Sequence, residues 1–225
     1  MAKRIGARER DVDELRLDRV AVKATVVKRT KLNQASLEDV DLTQAQWTGG
    51  SLRDARLSDL TCEAAHLDDI SLKRARLRDV TFESARFDDV SLENIRISDA
   101  TFADGALTNV SFAGARIDDA TFAAATLRNV TLASSEIDDA SFADGTWTNV
   151  TLEGVKVRDA NARCAHWRDV DFAGATWDDV CAKDTRWTNV DLRGARFDDA
   201  NVEGLVINGV DIGALLAAEK DETSS

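Results

Sequence analysis

The apolar residues of this chain recur every five positions. From Ala35 to Ile212, large apolar side chains fall at residue numbers ending in 2 or 7 and small ones at numbers ending in 0 or 5, without an inserted residue. Ala115-Arg116-Ile117-Asp118-Asp119, followed by Ala120-Thr121-Phe122-Ala123-Ala124, shows the unit: small, polar, large apolar, then two outward residues. Neither regular element has this period, since a helix needs apolar residues at i, i+3, i+4 and i+7 and a strand needs strict alternation. Within each unit the small residue and the large one two places later point to one side of an extended segment, so the remaining two residues must turn the chain. Four segments and four corners close a coil of about twenty residues, and coils stacked about 4.8 Å apart pair their backbone groups above and below. The pattern predicts an all-β fold, a β-solenoid of about nine regular coils and about 43 Å in length.

A coil of this size places residues twenty apart in columns. One inward column reads Leu42, Cys62, Phe82, Phe102, Phe122, Phe142, Ala162, Ala182, Val202, and another includes Trp147, Trp167 and Trp187. Where Trp167, Trp177 and Trp187 crowd the interior, Ala162 and Ala182 replace phenylalanine, an exchange of volume expected across one close-packed coil. Residues 1–11 lack the period and are expected to form a mobile basic arm. Residues 12–212 form a single solenoid, with 12–34 as a degenerate N-terminal cap coil in which Thr25 and Thr30 fill the small slot. Residues 213–225 supply a short C-terminal cap helix over Ala214–Lys220, with Leu215 and Leu216 laid over the last coil, and a disordered tail from Asp221.

Composition narrows the functional classes. Proline and tyrosine are absent and no apolar run exceeds five residues, so neither a membrane span nor a signal peptide is expected and the chain reads as cytoplasmic. Three cysteines argue against a disulfide scaffold. The net charge is −12, but residues 1–34 hold ten of the 29 basic residues and only five of the 41 acidic ones, so the acidity belongs to the body. Such a body repels nucleic acid and acidic membranes and steers toward basic protein surfaces.

Candidate chemistry is sparse. His66 and His166 fall in one outward column five coils apart, and Cys164 with His166 offers only two of the ligands a zinc site needs. No nucleophile–base pair, metal site or phosphate-cradling loop is evident, so no enzyme, cofactor or metal is expected. The outward columns say more. Asp39, Asp59, Asp79, Asp99, Asp119, Asp139, Asp159, Asp179 and Asp199 form an unbroken aspartate column. The sister column reads Gly49, Asp69, Asp89, Asn109, Asn129, Asn149, Asp169, Asn189, Gly209. Aspartate at a corner can cap the turning backbone as an Asx turn, yet asparagine does so without charge. Stacked carboxylates about 4.8 Å apart repel by roughly 0.9 kcal/mol per pair even at bulk dielectric. Arg56, Arg76, Arg96, Arg116, Lys156 and Arg196 stand three residues before this column and are expected to neutralise part of it.

Ala195-Arg196-Phe197-Asp198-Asp199, Val190-Asp191-Leu192-Arg193-Gly194 and Val170-Asp171-Phe172-Ala173-Gly174 carry a family signature, Ala, then Asp or Asn, then Leu, then two variable residues. By these units the region from Ala35 to Ile212 resembles the pentapeptide-repeat family. The resemblance implies a right-handed quadrilateral β-helix. It also implies a function known for some members, which resemble duplex DNA in size and charge, bind DNA gyrase or related type II topoisomerases and protect them from poisons such as quinolones, often as homodimers joined near the C-terminal end. On that reading the partner-binding edge is Asp79, Asp99, Asp118, Asp119, Asp138, Asp139, Asp159, Asp178, Asp179, Asp198 and Asp199, and the dimer contact is Ile207, Ile212, Leu215 and Leu216. The alternative is a scaffold module that binds through its flat faces, with the outward Ala103, Ala113, Ala123, Ala133 and Ala143 permitting close approach.

Overall fold

In the computed structural model, which describes residues 16–21 and 25–223, the period of five becomes a stack of four-cornered coils. The first coils are built from β1 (Arg16–Ala21), β2 (Val26–Lys31), β3 (Ser36–Asp41) and β4 (Gln46–Ser51), and strands continue at ten-residue intervals. Successive strands alternate between a ten-stranded and an eleven-stranded sheet. Each strand pairs in parallel with the one twenty residues on, as in Leu17 with Leu37, Val27 with Trp47 and Ile117 with Ile137. The degenerate region thus joins the stack in register through β1 and β2, while the arm read at 1–11 lies outside the described residues.

The corners explain why two of every five positions need not be apolar. From Arg29 to Gly204 every residue whose number ends in 4 or 9 is left-handed, with φ between 46° and 67°. At the corners ending in 4, the residue after the corner donates its N–H to the carbonyl three back, as in Ala115 N to Phe112 O at 2.9 Å, which is the bond of a type II turn. Five of these corners between Gly114 and Gly204 carry glycine, the residue that adopts this conformation without strain. The corners ending in 9 instead lie inside a strand or, at Asp89, Asn109 and Asp199, directly after one, and carry almost only Asp and Asn, the side chains best suited to that region after glycine.

The two inward residues of each unit fill one continuous core. Phe102 stacks on Phe122 at 4.8 Å and Trp147 on Trp167 at 4.4 Å, each a full coil apart. Ala162 and Ala182 are buried beside the tryptophans, and Phe172 stacks on Trp187 at 4.9 Å in the same stretch. Two polar residues enter small core slots, and both are satisfied. Ser135 Oγ donates to Phe112 O and accepts from Ala115 N, and Thr185 Oγ1 donates to Ala182 O. The indole N–H groups of Trp47, Trp147, Trp167, Trp177 and Trp187 are buried without a hydrogen-bond partner, so packing alone orients these rings.

The C-terminal end departs from expectation. Val206–Ile207 pairs antiparallel with Val210–Asp211, and this reversal carries the chain off the stack before the helix α1 (Ile212–Thr223) begins. Ile212 N donates to Leu205 O, tying the start of α1 to the last coil. Leu215 and Leu216 remain 51% and 44% exposed, so they do not seal the coil beneath, and α1 takes in residues 221–223 of the expected tail. Leu192, Phe197, Val202 and Ile207 in that coil are only half-buried.

Gly145 tests the packing of the tryptophan stack, because a Cβ there would stand 2.8 Å from Trp147 Nε1 and 3.0 Å from Phe142 O. Gly145→Ala is expected to lower stability by about 1–3 kcal/mol, read from urea unfolding followed by tryptophan fluorescence.

Candidate protein-binding edge

Because strands pair at a spacing of twenty residues, every outward column is a line of side chains about 4.8 Å apart. Along five of these columns opposite charges meet from one coil to the next. Asp54 pairs with Arg74 at 2.7 Å, Lys73 with Glu93 at 2.8 Å, Lys156 with Glu136 at 3.4 Å, Arg158 with Asp138 at 2.8 Å and Lys183 with Glu203 at 2.8 Å. The Arg74 guanidinium holds the Asp54 carboxyl below its ordinary range, and the Lys73 ammonium does the same for Glu93. These pairs tie coil to coil.

The aspartate column breaks this rule. Asp39 through Asp199 repeats one charge in nine successive coils, each residue left-handed with φ between 46° and 54°. Within it Asp39 approaches Arg19 at 4.0 Å and Asp79 pairs with Arg78 at 3.3 Å. Among the described residues Asp99, Asp119, Asp139, Asp159, Asp179 and Asp199 have neither an ion pair nor a hydrogen-bonded partner, and all are exposed. Of the adjoining acids, Asp118 and Asp178 are likewise free, whereas Asp138 pairs with Arg158 and Asp198 with Arg196.

Two sequence expectations are corrected here. The arginine column does not neutralise the aspartate column: Arg116 pairs with Glu136 at 3.6 Å and Arg196 with Asp198, while among the described residues Arg56, Arg76 and Arg96 have no ion pair. The physical reason is distance. Three residues along an extended strand span roughly 10 Å, twice the step between coils, so charge pairs form along columns or between residues one or two apart, as in Arg196 with Asp198, and not at a separation of three. Nor do the corner aspartates make Asx turns. Those bonds lie two residues further on, where Asp41 accepts from Thr43 N at 3.0 Å, Asp171 from Ala173 N at 2.8 Å and Asp191 from Arg193 N at 3.0 Å.

The sister column shows what the corner does without charge. Asn109 Nδ2 donates to Asp89 Oδ1, Asn129 to Asn109 and Asn149 to Asn129, at 2.7–2.9 Å, and Asn189 donates to Asp169 at 2.6 Å. An amide can donate upward and accept from below, so asparagine stacks into a ladder; a row of ionised aspartates has no donor and cannot. Both columns meet the backbone demand, and only one satisfies its side chains.

Beside the free aspartates runs a shallow groove of about 410 Å³. Asp99, Asp119, Asp139 and Asp159 form one wall, Thr101, Thr121 and Ser141 the other, and Ala100, Ala120 and Ala140 the floor. Larger residues, Leu60, Val80 and Val180, occupy the floor column elsewhere. The remaining candidates stay apart: His66 and His166 stand five coils from each other, and Cys62, Cys164 and Cys181 are free thiols. Burial, and secondarily the charge of Asp41, pushes the Cys62 thiol up to about 12, so it acts as a core side chain. No group of three or more His, Cys, Asp or Glu arranged to hold a metal occurs among the described residues.

Comparison with known sequences accounts for this architecture. A pentapeptide-repeat model of eight copies matches residues 25–59, and a model of the pentapeptide repeat region matches residues 54–122. Residues 25–122 thus carry the repeat of the pentapeptide-repeat family. No curated protein matches it. Among solved pentapeptide-repeat structures, HetL from the cyanobacterium Nostoc sp., involved in heterocyst differentiation regulation, is 19% identical over 85% of this chain and 90% of its own, with a TM-score of 0.49. Trypsin-treated QnrB1, a plasmid-mediated fluoroquinolone resistance protein, is 15% identical over 93% of each chain, with a TM-score of 0.42. A pentapeptide repeat protein of the Arabidopsis thaliana thylakoid lumen is 23% identical over 44% of this chain and 66% of its own, with a TM-score of 0.37. No helix among the described residues is long and apolar enough to cross a membrane.

Exchanging the two corner chemistries within this pentapeptide-repeat coil tests the distinction. Asp119→Asn with Asp139→Asn is expected to raise the urea midpoint at low ionic strength and to lose that gain at high salt, because it removes like-charge neighbours that salt screens. Asn129→Asp, which removes the amide donor to Asn109, is expected to destabilise by about 1 kcal/mol.

Proposed function

We propose that this pentapeptide-repeat protein is a non-enzymatic DNA mimic that binds DNA gyrase or a related type II topoisomerase and protects it from poisons such as quinolones. The observation that carries the reading is the straight column of unpartnered aspartates on a solenoid where several other columns pair opposite charges from coil to coil. A column that repels itself and gains no internal partner is the surface a basic protein groove would stabilise. One such column has about a third of the axial charge density of duplex DNA, which carries one charge per about 1.7 Å. Asp118 and Asp178, free beside Asp119 and Asp179, raise that density in the C-terminal half, so the edge from Asp118 to Asp199 is the part we assign to the enzyme's DNA-binding saddle.

A second reading, a scaffold module, draws on the band of half-buried alanines at Ala103, Ala113, Ala123, Ala133 and Ala143, which leaves the middle of two faces smooth. Salt separates the readings, because binding through carboxylates weakens steeply with ionic strength and alanine-face packing does not. We also place a homodimer contact at the exposed C-terminal end, through Ile207, Ile212, Leu215 and Leu216.

A supercoiling assay with purified gyrase, with and without a quinolone, tests the main reading. Wild-type protein at micromolar concentration is expected to inhibit supercoiling or to protect against the drug, and Asp139→Asn with Asp159→Asn and Asp179→Asn to weaken the effect at least tenfold. The reading fails if wild-type protein does neither. At high salt, truncation after Ile212 is expected to leave a monomer in sedimentation, and a truncated chain that still dimerises there would move the contact elsewhere.

A further inference from the structure

The aspartate column is not the only one that repeats its charge. Arg56, Arg76, Arg96 and Arg116 stand directly opposite one another in successive parallel strands, a ladder of four guanidinium groups on one flat face. Like charges in directly opposed positions are destabilising. Among the described residues only Arg116 of the four finds an acid, Glu136 at 3.6 Å; Arg56, Arg76 and Arg96 are exposed and without an ion pair. Both anomalous columns belong to the same strands, three residues apart: Arg56 with Asp59, Arg76 with Asp79, Arg96 with Asp99 and Arg116 with Asp119. A face that sets a line of cations beside a line of anions, roughly 10 Å away, cannot close its own pairs.

A free polyanion would meet the arginines but also the flanking aspartates, and a polycation the reverse. A partner that offers both lines at the same repeat satisfies both. We propose that this partner is a second copy of the chain, docked face to face with its solenoid axis parallel to the first. The two-fold axis then lies between the facing surfaces and runs along the solenoids. It exchanges left and right across the face without changing height, so each arginine of one copy meets the aspartate of the same coil in the other. The contact is self-complementary, as a two-fold interface must be. The coil spacing of the two lines is identical by construction, so the match persists from Arg56 to Arg116. Between the lines stand Ser58 and Ser98, small enough to admit close approach, alternating with Arg78, which pairs with Asp79 at 3.3 Å, and Asp118. Beyond Arg116 the same face carries Glu136 with Asp138 and Asp139, where facing copies repel, which confines the contact to the N-terminal half. The inference goes beyond the topoisomerase reading and shares with it only Asp79, Asp99, Asp118 and Asp119, so self-association leaves the acidic edge beyond Asp119 exposed.

Sedimentation of the full chain tests this. At about 0.01 M salt, where the screening length is about 30 Å, the mass is expected to be twice that at about 1 M, where it is about 3 Å. Arg76→Glu with Arg96→Glu is expected to abolish that salt-dependent doubling, and adding Asp79→Arg with Asp99→Arg to restore it, because the reversed lines again match. Arginine is admissible at those left-handed corners, since Arg19, Arg29 and Arg74 already occupy such positions with φ of 53°, 47° and 59°. Unchanged tryptophan fluorescence and circular dichroism confirm that the variants are folded. A wild-type mass independent of salt, doubling that survives in the Arg→Glu variant, or failure of the fourfold variant to restore it overturns the proposal. The Arg→Glu variant leaves every aspartate in place, so its activity toward gyrase reports separately on the edge.

Discussion

The interaction on which the rest depends is the backbone bonding of each coil to the coils above and below it. Leu72 N donates to Ser91 O at 2.7 Å and Arg76 N to Ala55 O at 2.9 Å, and the same two kinds of bond recur along the stack. Because they fix the register at twenty residues, no side chain is free to choose its neighbours. Whatever residue type a column repeats becomes a row of like groups about 4.8 Å apart. For phenylalanine and tryptophan the row is favourable, as their rings stack. For asparagine it is favourable too, as the amides chain together. For aspartate or arginine it is a standing repulsion. The fold therefore sorts residue types by whether they tolerate being stacked on themselves.

The left-handed corners are the second constraint, and they separate what was legible in the sequence from what was not. The period of five, the two inward slots and the twenty-residue register follow from apolar spacing alone, and the exchange of Phe for Ala beside the tryptophans is visible in the columns. The corners could be located but not distinguished. Those ending in 4 close hydrogen-bonded turns and accept Gln34, Ala64, Arg74 and Cys164, whereas those ending in 9 lie within or directly after strands and select Asp and Asn. Sequence reasoning gave the corner aspartates an Asx bond because that is the common use of the residue. Their conformation, rather than a bond from the side chain, accounts for them.

The pairing of charges was misread for a related reason. Arg116 and Asp119 are close in sequence and share a strand, but Arg116 and Glu136 are closer in space, because one coil step is shorter than three extended residues. A signal for this was present: Asp54 before Arg74 and Lys73 before Glu93 already alternate at a spacing of twenty. The C-terminal helix could not be placed in the same way. Composition marks Ala214–Lys220 as helical, yet the direction in which the chain leaves the last coil is set by the antiparallel pairing of Val206–Ile207 with Val210–Asp211, which carries no periodic signature.

Conformation explains an acidic or amide side chain at the corners ending in 9, but it does not explain the charge. Both columns impose nearly the same φ, 49° to 53° at Asp79, Asp99, Asp119 and Asp139 against 53° to 56° at Asn109, Asn129, Asn149 and Asn189. The amide column demonstrates that this backbone can be served by a residue that also satisfies its neighbour. Nine aspartates in the other column thus give up a hydrogen-bonded ladder and accept mutual repulsion within the isolated chain. A compensating interaction must come from outside the coil stack, and its chemistry is constrained: it must bring positive charge, extend along the solenoid axis, and reach the corners between Asp99 and Asp199, where no arginine or lysine among the described residues does so.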